Sequence, residues 1–293
     1  GRNKSIENLT VDDFPLPHLK HKIEQWRRQV SDHGRGVQIL RGAPIEAWTQ
    51  AEIEAFFWVL GRYLGIPGAQ DNDGALLSHV RDTGADPKRE RQYKASSFIN
   101  FHCDAADVVG LLCVQAAKAG GSSRLISSVT VYNELLKMPN GPEHLRRLYE
   151  PVLMDARGSG GVNFFAVPPL RQAEGVLRTF YHQEYFATAH RHPRAPPMSA
   201  DTRAALEAYD AVVARRELWL ETEFLPGDVQ LLSNHLMLHS RTAYEDHADP
   251  AKRRHLLRLW LSLDPPGSWH LRYLKEVDRL RMLCSLAYAK FFS

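Results

Sequence analysis

Several features are scarce in this sequence, and each scarcity removes a class of protein. The 293 residues include only three cysteines, Cys103, Cys113 and Cys284, with no C-x-x-C pair among them. We therefore expect no disulfide framework and a reducing compartment. No run of about 18 apolar residues occurs, which excludes a transmembrane helix. The first residues contain no apolar core, so we expect no signal peptide and a cytoplasmic protein.

An excess of one charge is also missing. Lys and Arg total 37 against 34 Asp and Glu, and the formal net charge is +3. Basic clusters are short and mixed, as in Lys88-Arg89-Glu90-Arg91, so nucleic-acid binding is not expected. The hydrophobic fraction of 44% is typical of a soluble globular protein with a sizeable core. Without a repeat, low-complexity tract or clear linker, residues 1–293 are predicted to form a single domain.

Apolar periodicity predicts many short strands and a few helices. A capping box at Thr49 and Glu52 begins the clearest helix, which ends before Gly65. Strands are predicted at 37–40, 76–80, 108–114, 123–128, 161–167, 179–186, 216–224, 229–233 and 255–263. Other helices are predicted at 18–32, 129–138, 142–149, 201–215 and 276–291. This pattern favours a mainly β, α+β fold, a barrel or jelly roll with helices outside it.

The loop over residues 66–94 is rich in Gly, Pro, Asp and Arg. Because long loops in compact domains are often functional, we consider it a candidate flap over a site. The alternative is an ordinary surface loop.

A His-x-Asp pair lies in the strand-like stretch 98–104. Side chains two apart on a strand point to the same face, so His102 and Asp104 are expected to converge while Cys103 turns away. One imidazole and one carboxylate form two-thirds of the facial triad that holds non-haem Fe(II). The alternative is a structural histidine capped by a nearby carboxylate, and the pair alone favours that alternative.

A third ligand is sought after the turn Pro226-Gly227-Asp228. His235 and His239 are four residues apart, the spacing of a zinc-binding helix. However, the segment lacks the intervening glutamate and has the pattern of a strand that leads into a loop. We therefore favour His239 alone, just past the strand, as the third ligand.

The last predicted strand has two unlike faces. One face is dominated by leucines, while Arg254, Arg258 and Trp260 share the other. If the leucines pack beneath helices, both arginines point into the barrel, where a buried guanidinium needs an anionic partner and suits a carboxylate. Salt bridges to core acids are the alternative. Arg253 would share the leucine face, which favours Arg254.

The ordered combination of these motifs resembles the taurine dioxygenase family, TauD/TfdA, of Fe(II)- and 2-oxoglutarate-dependent oxygenases. It consists of His102-x-Asp104, Gly120-Gly121 with Ser123, Pro226-Gly227-Asp228, His239 and Arg254-x-x-x-Arg258. The resemblance implies a double-stranded β-helix, a jelly-roll core over about 35–265, with N-terminal helices and a C-terminal helix packed outside.

The resemblance also implies roles for individual residues. His102, Asp104 and His239 are expected to be the iron ligands, and thus the catalytic residues. Arg254 and Ser123 are expected to bind the distal carboxylate of 2-oxoglutarate, and Arg258 either the co-substrate or an anionic substrate group.

The implied reaction consumes 2-oxoglutarate and O₂, oxidises an unactivated C–H bond of a small, anionic or amino-acid-like molecule, and releases succinate and CO₂. Asn100, Arg258 and Trp260 are the residues expected to touch that substrate. The alternatives are a cupin-type metal enzyme that needs no keto acid, or a non-catalytic binding protein. A homo-oligomer is possible, since the terminal helix is amphipathic.

Overall fold

The computed structural model describes residues 4–31, 33–71, 73–84, 96–157, 162–173 and 175–263. The helix predicted at 276–291, Cys284 and most of the second half of the 66–94 loop lie outside these residues.

Six helices and sixteen strands make up the described chain. The helices are α1 Lys20–Gln29, α2 Gln50–Leu64, α3 Ser128–Leu136, α4 Gly141–Leu148, α5 Gln183–Thr188 and α6 Ala200–Val213. The first eight strands are β1 Val37–Leu40, β2 Ile66–Pro67, β3 Leu77–Val80, β4 Ile99–His102, β5 Val108–Gln115, β6 Ala119–Gly120, β7 Ser123–Ser127 and β8 Val152–Asp155. The other eight are β9 Phe164–Val167, β10 Leu170–Ala173, β11 Val176–Thr179, β12 Leu220–Thr222, β13 Val229–Ser233, β14 Met237–Arg241, β15 Tyr244–Glu245 and β16 His255–Ser262.

Two antiparallel sheets form the centre of the molecule. The larger has the order β1-β13-β5-β16-β2, with β3 also paired to β16, and the smaller has the order β12-β7-β14-β4. Neighbours in both sheets are distant in sequence, which is typical of a jelly roll rather than a meander of hairpins. The mainly β prediction with flanking helices is confirmed.

Helices cover the outer faces of both sheets. The capping box predicted at Thr49 and Glu52 is present at the start of α2, and the apolar side of α2 packs on leucines of β16. On the other side of the molecule, α3, α4 and α6 pack against Phe101, Ile126 and Leu238 of the smaller sheet. The leucine face of β16 therefore lies beneath a helix, as predicted.

Two predicted strands are wrong or too long. Residues 179–186 were expected to be one strand, but β11 ends at Thr179 and α5 begins at Gln183. Tyr181 and Phe186 are both buried in the core around α6, and this packing overrides the β propensity of the aromatic residues. The strand expected over 216–224 is reduced to Leu220–Thr222 after a short 3-10 turn.

The described part of the 66–94 loop is not a detached flap. Its strands β2 and β3 both pair with β16 at the edge of the larger sheet, so these residues complete the sheet beside the arginine-bearing strand. No helix in the part of the chain that the structure describes is long and apolar enough to cross a membrane.

Candidate metal centre

Strand pairing brings His102 and His239 together. β4 and β14 run antiparallel, and His239 lies directly opposite His102. Directly opposed side chains in such a pair are in contact range, and the two imidazole centroids are 4.3 Å apart. His239 therefore lies within β14, whereas it was predicted just past a strand. Asp104 follows two residues after the end of β4 and turns back toward both rings.

The donor atoms of these three residues form one compact group. Asp104 Oδ1 lies 3.9 Å from His102 Nε2, and Asp104 Oδ2 lies 3.8 Å from His239 Nε2. All three donor atoms lie within 4.8 Å of one another, and no other such group occurs among the described residues. Two imidazoles and one carboxylate on one side of a cavity are a donor set that fits Fe(II) and leaves positions open.

The protonation states also suit a divalent ion, which needs neutral histidines and an ionised carboxylate. Burial would raise the pKa of Asp104, but the charges of Arg258, His239 and His102 lower it to about 2. Burial lowers the pKa of His239 to about 3. His102 Nδ1 lies 2.8 Å from the carbonyl oxygen of Asn100, which fixes the proton on Nδ1 and leaves Nε2 as the donor to a metal.

A second feature of the site is a buried arginine. Arg254 is 4% exposed, and its Nη1 is buried without a hydrogen-bond partner among the described residues. Its guanidinium lies 5.0 Å from the ring centroid of Tyr244, and burial lowers its pKa. A buried guanidinium with an unsatisfied N–H is the group that a carboxylate ligand would complete. The neighbouring Arg253 is exposed, with its Nε directed at the carbonyl of His247.

The metal centre and Arg254 share one small cavity. Its volume is about 70 Å³, and both sheets contribute to its walls. The polar or charged lining residues are His102, Asp104, Ser123, His239, Ser240, Arg241, Arg254 and Arg258. The other lining residues are Val80, Ile99, Leu111, Gly121, Phe224 and Leu256. The structure therefore brings together the predicted metal ligands and all three residues predicted for co-substrate binding.

Ser123 reaches this cavity from β7 and contacts a buried glutamine. Its hydroxyl lies 2.9 Å from Gln230 Oε1, while Gln230 Nε2 is buried without a partner in the described chain. Turning the amide by 180° places Nε2 beside Ser123 Oγ and lets it donate there, which frees the serine proton for a ligand.

The three residues predicted for the substrate lie in different places. Asn100 is exposed on the same strand face as His102. Arg258 is buried, and its Nε donates to Gln70 Oε1 at 2.7 Å. Trp260 donates its indole N–H to Asp104 Oδ2 at 3.0 Å, so it contacts a predicted metal ligand directly.

The zinc-helix alternative is wrong. Residues 234–236 form the turn between β13 and β14 instead of a helix, and His235 is bonded to Asp107 Oδ1 at 2.9 Å. His235 and His239 therefore do not share a helix face.

Sequence reasoning missed several residues around the site. Gln70 lies in the loop before β3, and Tyr244 lies between Arg254 and Arg241, whose guanidinium is 4.8 Å from the Tyr244 ring centroid. His182 lies 5.1 Å from His102, centroid to centroid. Only Arg241 carried a usable signal, since it follows His239 by two residues on the same strand face.

Known proteins resemble this chain along most of its length. The family model "Taurine catabolism dioxygenase TauD, TfdA family" matches residues 4–260. FR-33289 synthase of Streptomyces rubellomurinus (strain ATCC 31215) is 32% identical over 273 residues, which cover 88% of this chain and 79% of that protein.

Solved structures share the fold. Asparagine oxygenase, in complex with Fe(II), 2S,3S-3-hydroxyasparagine and succinate, superimposes with a TM-score of 0.67 at 20% identity over 85% of this chain and 80% of that one. The non-heme iron oxygenase OrfP, in complex with Fe, succinate and (3S)-hydroxy-L-Arg, gives a TM-score of 0.63 at 14% identity over 89% and 84%. These similarities confirm the double-stranded β-helix. The chain belongs to the TauD/TfdA family and is an Fe(II)- and 2-oxoglutarate-dependent dioxygenase.

Proposed function

We propose that His102, Asp104 and His239 hold the iron of this dioxygenase, and that Arg254 and Ser123 bind the distal carboxylate of 2-oxoglutarate. The observation that carries the proposal is the shared cavity: one set of metal donors and one buried, incompletely bonded guanidinium line the same small space. A cupin-type enzyme without a keto acid has no need for that arginine.

The metal ligands come from positions that the sheet holds rigidly. His102 and His239 are opposed across two paired strands, and the backbone N–H of Asp104 donates to Asn234 Oδ1 at 3.0 Å. When bound, the iron supplies the activation of O₂ that oxidises the substrate while 2-oxoglutarate is converted to succinate and CO₂. The residues around it position the reactants and keep water out.

Arg254 supplies the charge that selects a dicarboxylate. Arg254 directly precedes β16, and its guanidinium packs on the Tyr244 ring. Because the side chain is already held in place, ligand binding costs little side-chain entropy. Ser123 adds a hydroxyl from the opposite sheet. Together they supply a guanidinium and a hydroxyl from opposite sheets to the cavity that also contains the three metal donors.

The substrate we propose is a small amino-acid-like or otherwise anionic molecule. Asparagine oxygenase and OrfP have hydroxylated amino acids bound in their structures, and this chain shares their fold. The internal cavity is small, so the substrate approaches from the rim, where Asn100 is exposed beside His102. Roles for Arg258 and Trp260 in substrate binding stay predictions, as do the cytoplasmic location and a homo-oligomer.

The test is an anaerobic titration with Fe(II) and 2-oxoglutarate, followed by the weak visible charge-transfer band of the chelate. The band is expected with the wild type and lost in His239→Ala. Iron binding without the band favours the cupin alternative, and no iron binding shows that the three ligands are wrong.

A panel of amino acids and other small carboxylates, screened by succinate release, then identifies the substrate; failure of every anionic compound contradicts the proposed substrate class.

A further inference from the structure

Trp260, a partly buried tryptophan of β16, is hydrogen-bonded to a proposed metal ligand. Its indole N–H donates to Asp104 Oδ2 at 3.0 Å, although Asp104 is a proposed metal ligand. The indole ring is held in turn by Arg258, whose guanidinium carbon lies 5.0 Å from the ring centroid. The ring belongs to β16 and not to a mobile loop, so the position of its N–H is set by the strand.

The two oxygens of Asp104 have different surroundings. Oδ2 receives the Trp260 hydrogen bond and lies 3.8 Å from both Arg258 Nη1 and His239 Nε2. Oδ1 lies 3.9 Å from His102 Nε2 and accepts no side-chain or backbone hydrogen bond from the residues that the structure describes. The carboxylate therefore has one oxygen engaged by neighbouring donors and one oxygen left for a ligand.

The orientation of the Arg258 side chain is fixed by Gln70. Its Nε donates to Gln70 Oε1 at 2.7 Å, and Gln70 Nε2 lies within hydrogen-bonding distance of the carbonyls of Leu76 and Arg258. Gln70 is 1% exposed. A buried amide that is hydrogen-bonded through both its oxygen and its nitrogen has one preferred orientation. Gln70 therefore fixes the Arg258 side chain, and Arg258 in turn contacts the Trp260 ring beside Asp104 Oδ2.

We propose that Trp260 is a positioning residue that makes Asp104 a one-oxygen ligand, with Oδ1 toward the metal. The inference rests on the proposed metal centre. A carboxylate rotates easily about its last torsion, and with both oxygens on the metal it would occupy two positions. Three single-atom ligands leave three of six positions open, which 2-oxoglutarate and O₂ together require. By engaging Oδ2, the indole N–H preserves the number of open positions.

The variant that tests this is Trp260→Phe, which removes the N–H and keeps an aromatic ring. Trp58→Phe is the matched control, because Trp58 also donates its indole N–H, to the Leu9 carbonyl at 3.1 Å, but lies in the core beneath the leucine face of β16. The metal-free proteins are titrated with Co(II), and both the Kd and the visible d–d spectrum are recorded.

Loss of a group that orients a metal ligand weakens metal binding by about 10-fold or more. We expect this increase in Kd for Trp260→Phe, together with a changed d–d spectrum, and neither change for Trp58→Phe. Trp260→Gln, which retains an N–H donor, is expected to bind more tightly than Trp260→Phe. Thermal unfolding of the metal-free variants shows whether each one is folded.

A Trp260→Phe protein with the wild-type Kd and spectrum overturns the inference, and so does equal weakening in Trp58→Phe. The outcome is separable from that of the proposed function: if the wild type itself binds no Co(II), the metal centre is wrong, whereas a normal wild type beside an unaffected Trp260→Phe removes only the role of Trp260.

Discussion

The two faces of β16 perform opposite tasks within one strand of eight residues. On one face, Leu257, Leu259 and Leu261 are each at most 1% exposed and pack against α2. On the other face, Arg258 and Trp260 contact Asp104, and Arg254, just before the strand, enters the same cavity. Both faces are buried, yet only one of them is apolar.

The contrast separates what stabilises the fold from what serves the site. A buried leucine contributes about 1.5–3 kcal/mol relative to an exposed one, whereas a buried guanidinium without an anion is unfavourable. We therefore expect Arg254 to destabilise the free protein, and a bound carboxylate would offset that cost. Locally unfavourable residues of this kind are expected where a binding site has been built into a core.

The largest effect on 2-oxoglutarate affinity is expected from Arg254→Leu. This substitution replaces the arginine just before β16 with leucine, the residue type that dominates the opposite, core-facing side of the strand. Each hydrogen bond to a charged group contributes about 1.5–3 kcal/mol, so losing a bidentate pair lowers 2-oxoglutarate affinity by about 100-fold or more. Stability should stay unchanged or rise, because a buried charge is removed. Titration of the charge-transfer band and urea unfolding of the metal-free protein measure the two quantities.

Arg253→Leu is the control for that experiment. Arg253 is exposed and should affect neither quantity. If Arg253→Leu loses the co-substrate while Arg254→Leu keeps it, the assignment of the two arginines is reversed.

The opposite experiment, Leu257→Ala, removes packing from the leucine face of β16 and leaves the cavity-facing side unchanged. Truncation of a fully buried leucine lowers the free energy of unfolding by about 2–5 kcal/mol, and the affinity of the folded protein for 2-oxoglutarate should be unchanged. Leu225→Ala is the matched control, because Leu225 is 56% exposed and its truncation should change stability by less than about 0.5 kcal/mol. Equal losses in the two variants would contradict the packing of β16 on α2.

The two faces of β16 were predictable because alternation leaves a direct trace in the sequence. The capping box of α2, the extent of β1 and the extent of β13 were also readable from local signals. Residues 179–186 were not, because their aromatic residues favour a strand, whereas Gln183–Thr188 is helical and Tyr181 and Phe186 are buried in the core.

Within the site, residues two or four apart on one predicted strand could be grouped from the sequence, as His102 with Asp104 and Arg254 with Arg258. Contacts between distant segments could not. Gln70 meets Arg258 across 188 residues, and Tyr244 meets Arg254 through a turn whose geometry no local pattern specifies.

Gly121→Ala is expected to lower 2-oxoglutarate affinity by about 10-fold, a smaller effect, because it displaces the Arg254 side chain without replacing it. Gly121 has φ +76°, and a Cβ there would lie 3.0 Å from Arg254 Nε. The left-handed conformation makes alanine unfavourable by about 1–2 kcal/mol, and the close contact pushes the guanidinium away from its position. Urea unfolding and the charge-transfer titration again report the two effects.

Gly42→Ala is the control that separates the effect of backbone strain from the effect of the close contact with Arg254. Gly42 has φ +80°, but nothing lies within 4 Å of its Cβ position. It should lose stability to a similar extent and keep its co-substrate affinity. A loss of affinity in Gly42→Ala as well would mean that backbone strain, and not the displacement of Arg254, explains the Gly121 result.

The smallest effect is expected from Ser123→Ala, on the sheet opposite Arg254. One hydrogen bond contributes about 0.5–1.5 kcal/mol, so 2-oxoglutarate affinity should fall by about 2- to 10-fold. Ser123→Thr retains the hydroxyl and should bind nearly as the wild type does. Because Gln230 Nε2 can donate to the hydroxyl of residue 123 only while that hydroxyl is present, Gln230→Leu should weaken binding in the wild type but add little in Ser123→Ala. Additive losses in the double variant would mean that Gln230 does not act through Ser123. Unchanged or tighter binding in Gln230→Leu alone would mean that the serine proton is directed at the glutamine instead of the co-substrate.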